Sequence, residues 1–186
     1  MECRGPDIVS LDRDMVHRAK ELVDSVFVGQ GPLERLSLRL YSRKGGLTYR
    51  FFSLLTGVDL LDFWIVISDD GSVAGMSGLY SRRKDRREAL WLGWYVVRPS
   101  ERGKGLGTAL LNKAIQEARS RNARFLRLYT SDSEMTEGGK DAQIMYERFG
   151  FKIKRKKRII EGFMIDEEGP RLLRANKLIR EKTLSE

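Results

Sequence analysis

Three glycines at alternate positions, Gly103, Gly105 and Gly107, stand between a run of strand-forming residues and the clearest amphipathic helix of the chain. Ahead of them, Ala89 to Val97 reads as a strand closed by Pro99. Behind them, Leu106, Leu110, Leu111, Ala114, Ile115 and Ala118 recur on one helical face, with Lys113, Glu117, Arg119 and Arg121 mostly off it. A chain with this junction is committed to a strand-turn-helix unit. The first turn of any helix leaves about four backbone N–H groups without an internal partner and carries a partial positive charge. Glycines there remove the side chains that would hold an anion away from those groups. The spacing therefore predicts an anion cradle over residues 103–108.

The flanking segments show what the unit is built into. Met15, Ala19, Leu22, Val23, Val26 and Phe27 fall at helical spacing behind Ser10 and Asp12, either of which suits the first turn as a cap. A helix is expected over residues 12–28, ended by Gly29 and Gly31. Leu33, Leu36 and Leu40 predict a shorter helix before Gly45-Gly46, and residues 47–60 are ambiguous. Phe63 to Ser68 and Val73 to Tyr80 flank the turn residues Asp69-Asp70-Gly71-Ser72, which reads as a hairpin. The charged segment Ser81 to Arg87 then leads into the strand at 89–97. Beyond the central helix come a strand at Phe125 to Tyr129 and a polar loop from Ser131 to Gly139. A short helix marked by Ala142, Met145, Tyr146 and Phe149 is stopped by Gly150. Phe151 to Ile160 is a basic strand with which Phe163 to Ile165 is placed to pair. The core is expected over residues 8–165, with 166–186 a charged tail whose stretch from Pro170 suits a helix. This order of elements predicts an α/β (α+β layered) architecture in a single domain over residues 1–186.

Composition narrows the function classes. A chain of 186 residues suits one domain of the usual size, about 100–200 residues. The apolar stretch Phe51 to Ser68 contains Asp59 and Asp62, and a central Asp costs about 3 kcal/mol of membrane insertion, so no membrane association through a span is expected. The N-terminus lacks the apolar run of a secretory signal, and the expected location is cytoplasmic. Cys3 is the only cysteine and His17 the only histidine, which leaves no intrachain disulfide and no metal site of the Cys/His kind. His17 reads as a solvated or packed helix residue. Thirty-five Lys and Arg against 26 Asp and Glu give a net charge of +9, a field that attracts nucleic acid, acidic membranes or an anionic small molecule without choosing among them. The basic clusters at Arg82 to Arg87 and Lys154 to Arg158 read first as solvated loop and edge-strand charges. Attraction of an anionic cofactor, an acidic acceptor or nucleic acid is the alternative.

Among known phosphate motifs, a P-loop needs Ser or Thr directly after Gly-Lys, where this chain has Gly105 after Lys104. A dinucleotide fingerprint needs a third glycine where this chain has Thr108. The pattern R-x-x-G-x-G, formed by Arg102, Gly105 and Gly107 directly after the strand and Val97-Arg98-Pro99, resembles the acyl-CoA pyrophosphate loop of the GNAT superfamily of N-acetyltransferases. Downstream, Ala142-Gln143-Ile144-Met145-Tyr146-Glu147-Arg148-Phe149-Gly150-Phe151 is similar to the helix-to-strand segment of the same superfamily.

The resemblance implies a GNAT fold: a mixed central sheet with antiparallel N-terminal hairpins, helices on both faces and splayed strands forming an acyl-CoA cleft. It implies acetyl-CoA as the acyl-donor cosubstrate and no metal. The backbone of Tyr95, Val96 and Val97 is then expected to pair with the pantetheine arm. Arg102, Gly103, Lys104, Gly105, Leu106, Gly107 and Thr108 are expected to hold the pyrophosphate. Tyr146 matches the tyrosine that suits protonation of the leaving thiolate, its bland alternative being simple packing. Some members carry an acidic base midway along the strand, where this chain has Leu92. Glu88, which shares strand parity with Leu92 and Trp94, is slightly favoured as a base acting through water, with Asp132 and Glu134 as the other candidates. The acceptor is expected to be a primary amine of a small metabolite or a protein. Its pocket is expected from the first two helices, the Gly45-Gly46 loop and the strand bearing Trp91 and Trp94. Alternation puts those two rings on opposite faces unless a bulge intervenes, and the resemblance implies one. A monomer or homodimer is expected. The competing class is a non-catalytic acyl-CoA-binding or nucleic-acid-binding regulatory module.

Overall fold

The computed structural model describes residues 6–27, 32–85, 88–132, 139–166 and 169–184. Cys3, Gly29, Gly31, Arg86, Arg87 and Glu134 lie outside them. The described residues up to Leu126, with Leu184, form one compact unit, and Arg127–Thr183 form a second.

The first unit opens with β1 (Ile8–Ser10), α1 (Val16–Val26), α2 (Pro32–Tyr41) and α3 (Leu47–Thr56), followed by the strands β2 (Val58–Ile67), β3 (Val73–Arg82) and β4 (Ala89–Val97). The strands pair in the order β1-β2-β3-β4, all antiparallel. Helix α4 (Leu106–Ser120) follows β4, and strand β5 (Phe125–Ser131) starts in this unit and continues in the second. Both predicted N-terminal helices, the hairpin, the strand at 89–97 and the central helix are present. Two elements are new: β1, and α3 within the ambiguous stretch. Ser10 lies in β1 opposite Trp64, and neither it nor Asp12 caps α1, whose N-cap is Met15 without a side-chain cap bond; the Asp12 carboxylate accepts the Met15 amide at 2.8 Å in the turn that leads into the helix.

One face of the sheet packs against α1 and α2. Val16, Ala19, Leu22 and Val23 of α1 and Leu38 and Leu40 of α2 close over Phe63, Ile65, Met76 and Val96. The other face receives α4, where Leu106 and Leu110 meet Val66 and Ala74. Strand glycines keep these layers close. A Cβ at Gly78 would fall 2.1 Å from Cδ1 of Phe63, a ring that is itself 1% exposed. Helix α3 is held differently. The Tyr49 hydroxyl accepts the Leu60 amide at 2.8 Å and donates to the Asp59 carboxylate, while Leu47, Phe51, Leu54 and Leu55 remain exposed.

The second unit contains the rest of β5 with α5 (Gly139–Arg148), β6 (Lys152–Asp166) and β7 (Gly169–Thr183), strands in the order β5-β7-β6. Gly150, at φ 79°, ends α5 in the left-handed conformation, and the Phe151 amide reaches back to the Tyr146 carbonyl at 2.9 Å. Here the sequence reading of the tail is corrected. The residues from Pro170 to Thr183 are not a helix or a loose tail but part of β7, paired antiparallel with β6 as far as Glu181. The cause lies in its partners. Arg180, 3% exposed, donates to Gln143 Oε1 at 2.8 Å, to the Phe151 carbonyl at 3.2 Å and to Glu147 Oε1 at 2.8 Å. Glu181 accepts from Arg127 and Lys154, each at 2.5 Å. A segment in which Arg180 and Glu181 are paired in this way reads as polar in sequence and packs as an inner strand.

Two outcomes follow from this packing. Gly78→Ala should destabilise the protein by about 1–3 kcal/mol, because the Phe63 ring has no room to yield; an unchanged thermal midpoint would contradict the tight contact. For Glu181, burial raises the pKa, and the hydrogen bonds from Lys154 and Arg127 outweigh it and hold the carboxyl below its usual 4.5. A folded pKa below the unfolded one adds stability that is complete above about 4.5 and fades as pH falls through the lowered value. Glu181→Gln should therefore melt earlier than the parent at pH 7, with the gap closing below pH 4; a gap independent of pH would count against the ion pairs.

Candidate active site

The site is built where β4 stops being a regular strand. Met76 pairs with Val96 and Gly78 with Gly93, so β3 advances two residues while β4 advances three. Trp94 and Tyr95 therefore face Ser77 alone, and Trp94 takes φ 49°, a left-handed value uncommon for a bulky residue. The bulge implied by the resemblance is present.

Its consequence is a change of side-chain parity. Trp91, opposite Tyr80, stacks on it at 6.0 Å, and Tyr80 packs against the core cluster on the α1/α2 side. Trp94 packs against that same cluster, with its Nε1 donating to Ser37 Oγ of α2 at 3.0 Å and its ring 6.0 Å from Phe27. Both tryptophans thus serve one face, which strict alternation forbids. Trp91 is the core ring of the two, 3% exposed, with its Nε1 donating to Asp85 at 2.8 Å. The same shift alters half of the parity argument for Glu88, which keeps its parity with Leu92. Leu92 stays on the opposite face from Trp91, while Trp94 has crossed, so Glu88 no longer shares a side with Trp94. Glu88 is exposed in the turn before β4, and its carbonyl accepts the amides of Arg124 and Phe125 at 3.0 and 3.1 Å.

Beyond the bulge, Val97 leads through a short 3-10 turn at Pro99–Glu101 into the glycine segment. Gly103 and Gly105 both stand at φ 80°, and nothing lies within 4 Å of where their Cβ atoms would be. Two left-handed residues two positions apart fold the chain back and leave their outer side open. Gly105 caps α4 without a side-chain hydrogen bond, and the first helical bond runs from the Ala109 amide to the Gly105 carbonyl at 3.0 Å. The amides of Leu106, Gly107 and Thr108 lie ahead of that bond, at the positive end of a 15-residue helix. Lys104, exposed, pairs with Glu101 at 2.9 Å. The segment has the form of a cradle for an anion.

Gly107 differs from the other two. A Cβ there would fall 2.7 Å from the Tyr95 hydroxyl, so this glycine makes room for the ring beneath it. Tyr95 packs with Val97 against Leu106 and Leu110, and burial pushes its phenol up to about 12, which keeps the hydroxyl neutral. The sequence marked Tyr95 only for its backbone; the contact joins residues of two elements, and no local pattern announces it.

In the second unit, Tyr146 is 6% exposed, with its ring 5.9 Å from that of Phe151. Asp132 accepts both the backbone and side-chain N–H groups of Asn176, at 2.6 and 2.8 Å. Burial raises its pKa, but those bonds prevail and hold it below its usual value, which makes it a weak base. His17 is solvated and pairs with Glu21 at 3.3 Å.

A sequence profile of the Acetyltransferase (GNAT) family matches residues 36–151, more than half of the chain. The chain belongs to that family. It is 34% identical over 80 residues to an uncharacterized N-acetyltransferase of Methanocaldococcus jannaschii, a match covering 43% of this chain and 32% of that protein, so the chain spans about a third of that relative's length. The ribosomal-protein-S18-alanine N-acetyltransferase of Escherichia coli is similar in fold, with TM-score 0.65 and 19% identity over 98% of this chain and 96% of that one. An aminoglycoside 6'-N-acetyltransferase complexed with coenzyme A superposes with TM-score 0.63 at 16% identity, over 97% of this chain and 98% of that one.

The Tyr95–Gly107 contact gives a change of sign to look for. Ala normally favours a helix over Gly by about 1 kcal/mol. Gly107→Ala should instead lower the thermal midpoint, and in a Tyr95→Phe background, with the hydroxyl gone, the same change should become neutral or stabilising. Equal effects in both backgrounds would show that the ring does not constrain the loop.

Proposed function

We propose that the chain is an acetyl-CoA-dependent N-acetyltransferase that acts on a primary amine of a small metabolite or a protein by direct attack in a ternary complex. The observation that carries this reading is the cradle at the start of α4: two left-handed glycines with open space at their Cβ positions, followed by the N-terminal amides of a long helix. Bound acetyl-CoA would supply an activated thioester carbonyl.

The chain's own groups divide the remaining work. Residues 103–108 hold the diphosphate through main-chain N–H groups, with Arg102 and Lys104 adding positive charge nearby. The backbone of Tyr95 to Val97 pairs with the pantetheine arm as an added strand would. A backbone N–H near the end of β4, where the bulge breaks the ladder, donates to the carbonyl oxygen as negative charge develops on it. The neutral phenol of Tyr95 braces the loop from below without exchanging a proton. Tyr146 is the acid in this reading, since a phenol with a pKa of about 10 can donate to a departing thiolate. Glu88 keeps only the lesser role of a base at a distance, acting through water. Trp94 with Phe27 and Ser37 forms an aromatic wall suited to the acceptor.

Calorimetry with acetyl-CoA tests the cradle. Gly105→Glu should abolish binding, whereas Gly105→Ala, which carries the same backbone strain without the charge, should weaken it far less; equal losses would assign the effect to strain rather than to a bound diphosphate. Release of free thiol across a panel of amines tests the transfer itself. Tyr146→Phe should lower turnover at saturating substrates with little change in acetyl-CoA affinity, and an unaltered rate would remove Tyr146 as the acid.

A further inference from the structure

The hairpin of β6 and β7 carries more positive charge than its pairing needs. Six of the seven residues from Lys152 to Arg158 are basic, and all seven are exposed. Edge strands are commonly guarded by a lysine or two, but this run goes well past that. Its charges are also not evenly compensated. Lys154 shares Glu181 with Arg127, and Lys156, on the face of Leu178 and Asn176, lies close enough to Asp132 to lower its pKa.

Glu181 shares its face with Lys177, four residues before it in β7, but farther along that face from Glu181 the compensation ends. Lys157 stands directly opposite Lys177, a like-charge pairing that costs stability in a sheet. Arg155, two residues along the same strand, shares that face. Among the described residues none of Arg155, Lys157 and Lys177 forms an ion pair with a carboxylate. Lys177 lies over the Tyr129 ring of β5, 5.4 Å from its centroid, and Tyr129 is 40% exposed. Running across β5, β7 and β6, the face therefore presents an exposed aromatic ring, then Lys177, then Lys157, with Arg155 beside them.

We infer that this face binds single-stranded nucleic acid, with Arg155, Lys157 and Lys177 on the phosphates and the Tyr129 ring stacking a base. Cations in a row beside an accessible aromatic ring are the pairing that such strands favour, because every base has a stacking face. An acidic peptide would satisfy the lysines but leave the ring unused. The inference goes beyond acetyl transfer and stands whether or not that activity is found.

The test is fluorescence anisotropy of an end-labelled 12-mer oligouridine titrated with the full chain at several potassium chloride concentrations. Three phosphate contacts predict a slope of log affinity against log salt of about −2. The double variant Lys157→Gln/Lys177→Gln should bring that slope close to −1 and weaken binding at least tenfold at low salt. Tyr129→Ala should weaken binding about tenfold with the slope kept. Arg83→Gln/Lys84→Gln, which removes the same charge from an exposed turn of the first unit, should change little. Thermal melting of each variant confirms that it is folded. Absence of binding at low salt, equal losses from both double variants, full affinity in Tyr129→Ala, or competition by polyglutamate as strong as by unlabelled oligouridine would overturn the inference.

Discussion

One extra residue in β4 organises the first unit. A regular strand from Ala89 to Val97 would place Trp91 and Trp94 on opposite faces of the sheet. The bulge at Trp94 instead lets Trp91, Gly93, Trp94 and Val96 all serve the side covered by α1 and α2, and it restores alternation beyond that point so that Tyr95 and Val97 meet α4. The left-handed backbone at Trp94 is held there by what surrounds the ring: Ser37 bonds its Nε1 and Phe27 packs on its side. With Tyr95 turned toward α4, its hydroxyl reaches the first turn of that helix, and Gly107 is the residue that makes the approach possible. The cradle and the strand that leads to it are parts of one packing solution.

The strongly periodic parts of this fold could be read from sequence, and the failures have identifiable causes. Helix α4 buries all six residues that its spacing selects, and α1 buries Ala19, Leu22 and Val23 of its set while Met15, Val26 and Phe27 pack half-buried at its ends, because each helix lays an apolar stripe on a sheet face. Helix α3 escaped the reading because its apolar residues point the wrong way: Phe51, Leu54 and Leu55 are 62–69% exposed, and the helix is fastened through the polar end of Tyr49. Strand β7 escaped because its inner contacts are made by Arg180 and Glu181, which hydrophobic patterning treats as surface. Within the site, the glycine spacing was legible and the roles of the three glycines were not. Gly103 and Gly105 are set by backbone conformation, whereas Gly107 is set by a neighbour twelve residues earlier. The bulge separates Glu88 from the side of Trp94 and leaves its parity with Leu92, which precedes the irregularity, as it was.

Charge is distributed by function within each unit rather than spread evenly. Around α5 the cations are spent internally: Arg180 is enclosed by Gln143, Glu147 and the Phe151 carbonyl, and Arg127 is fixed by Glu181. Such buried, fully bonded cations hold elements in register and offer nothing to a ligand. At the head of α4 and along β6 the arrangement is the reverse, with main-chain amides in one case and lysines in the other directed outward. A single net charge of +9 thus conceals two arrangements of different chemistry, oriented N–H groups at the head of α4 and exposed cationic side chains along β6.

The convergence of the amides of residues 103–108 on a diphosphate is open to direct measurement by following backbone amide resonances of the 15N-labelled full chain as coenzyme A is added. The largest shifts should fall on Gly103 to Thr108, with smaller ones at Tyr95 to Val97, and pantetheine, which lacks the diphosphate, should move only the latter group. Saturable binding that leaves the amides of 103–108 unmoved would contradict the assignment of this turn and the acyl-transfer reading built on it.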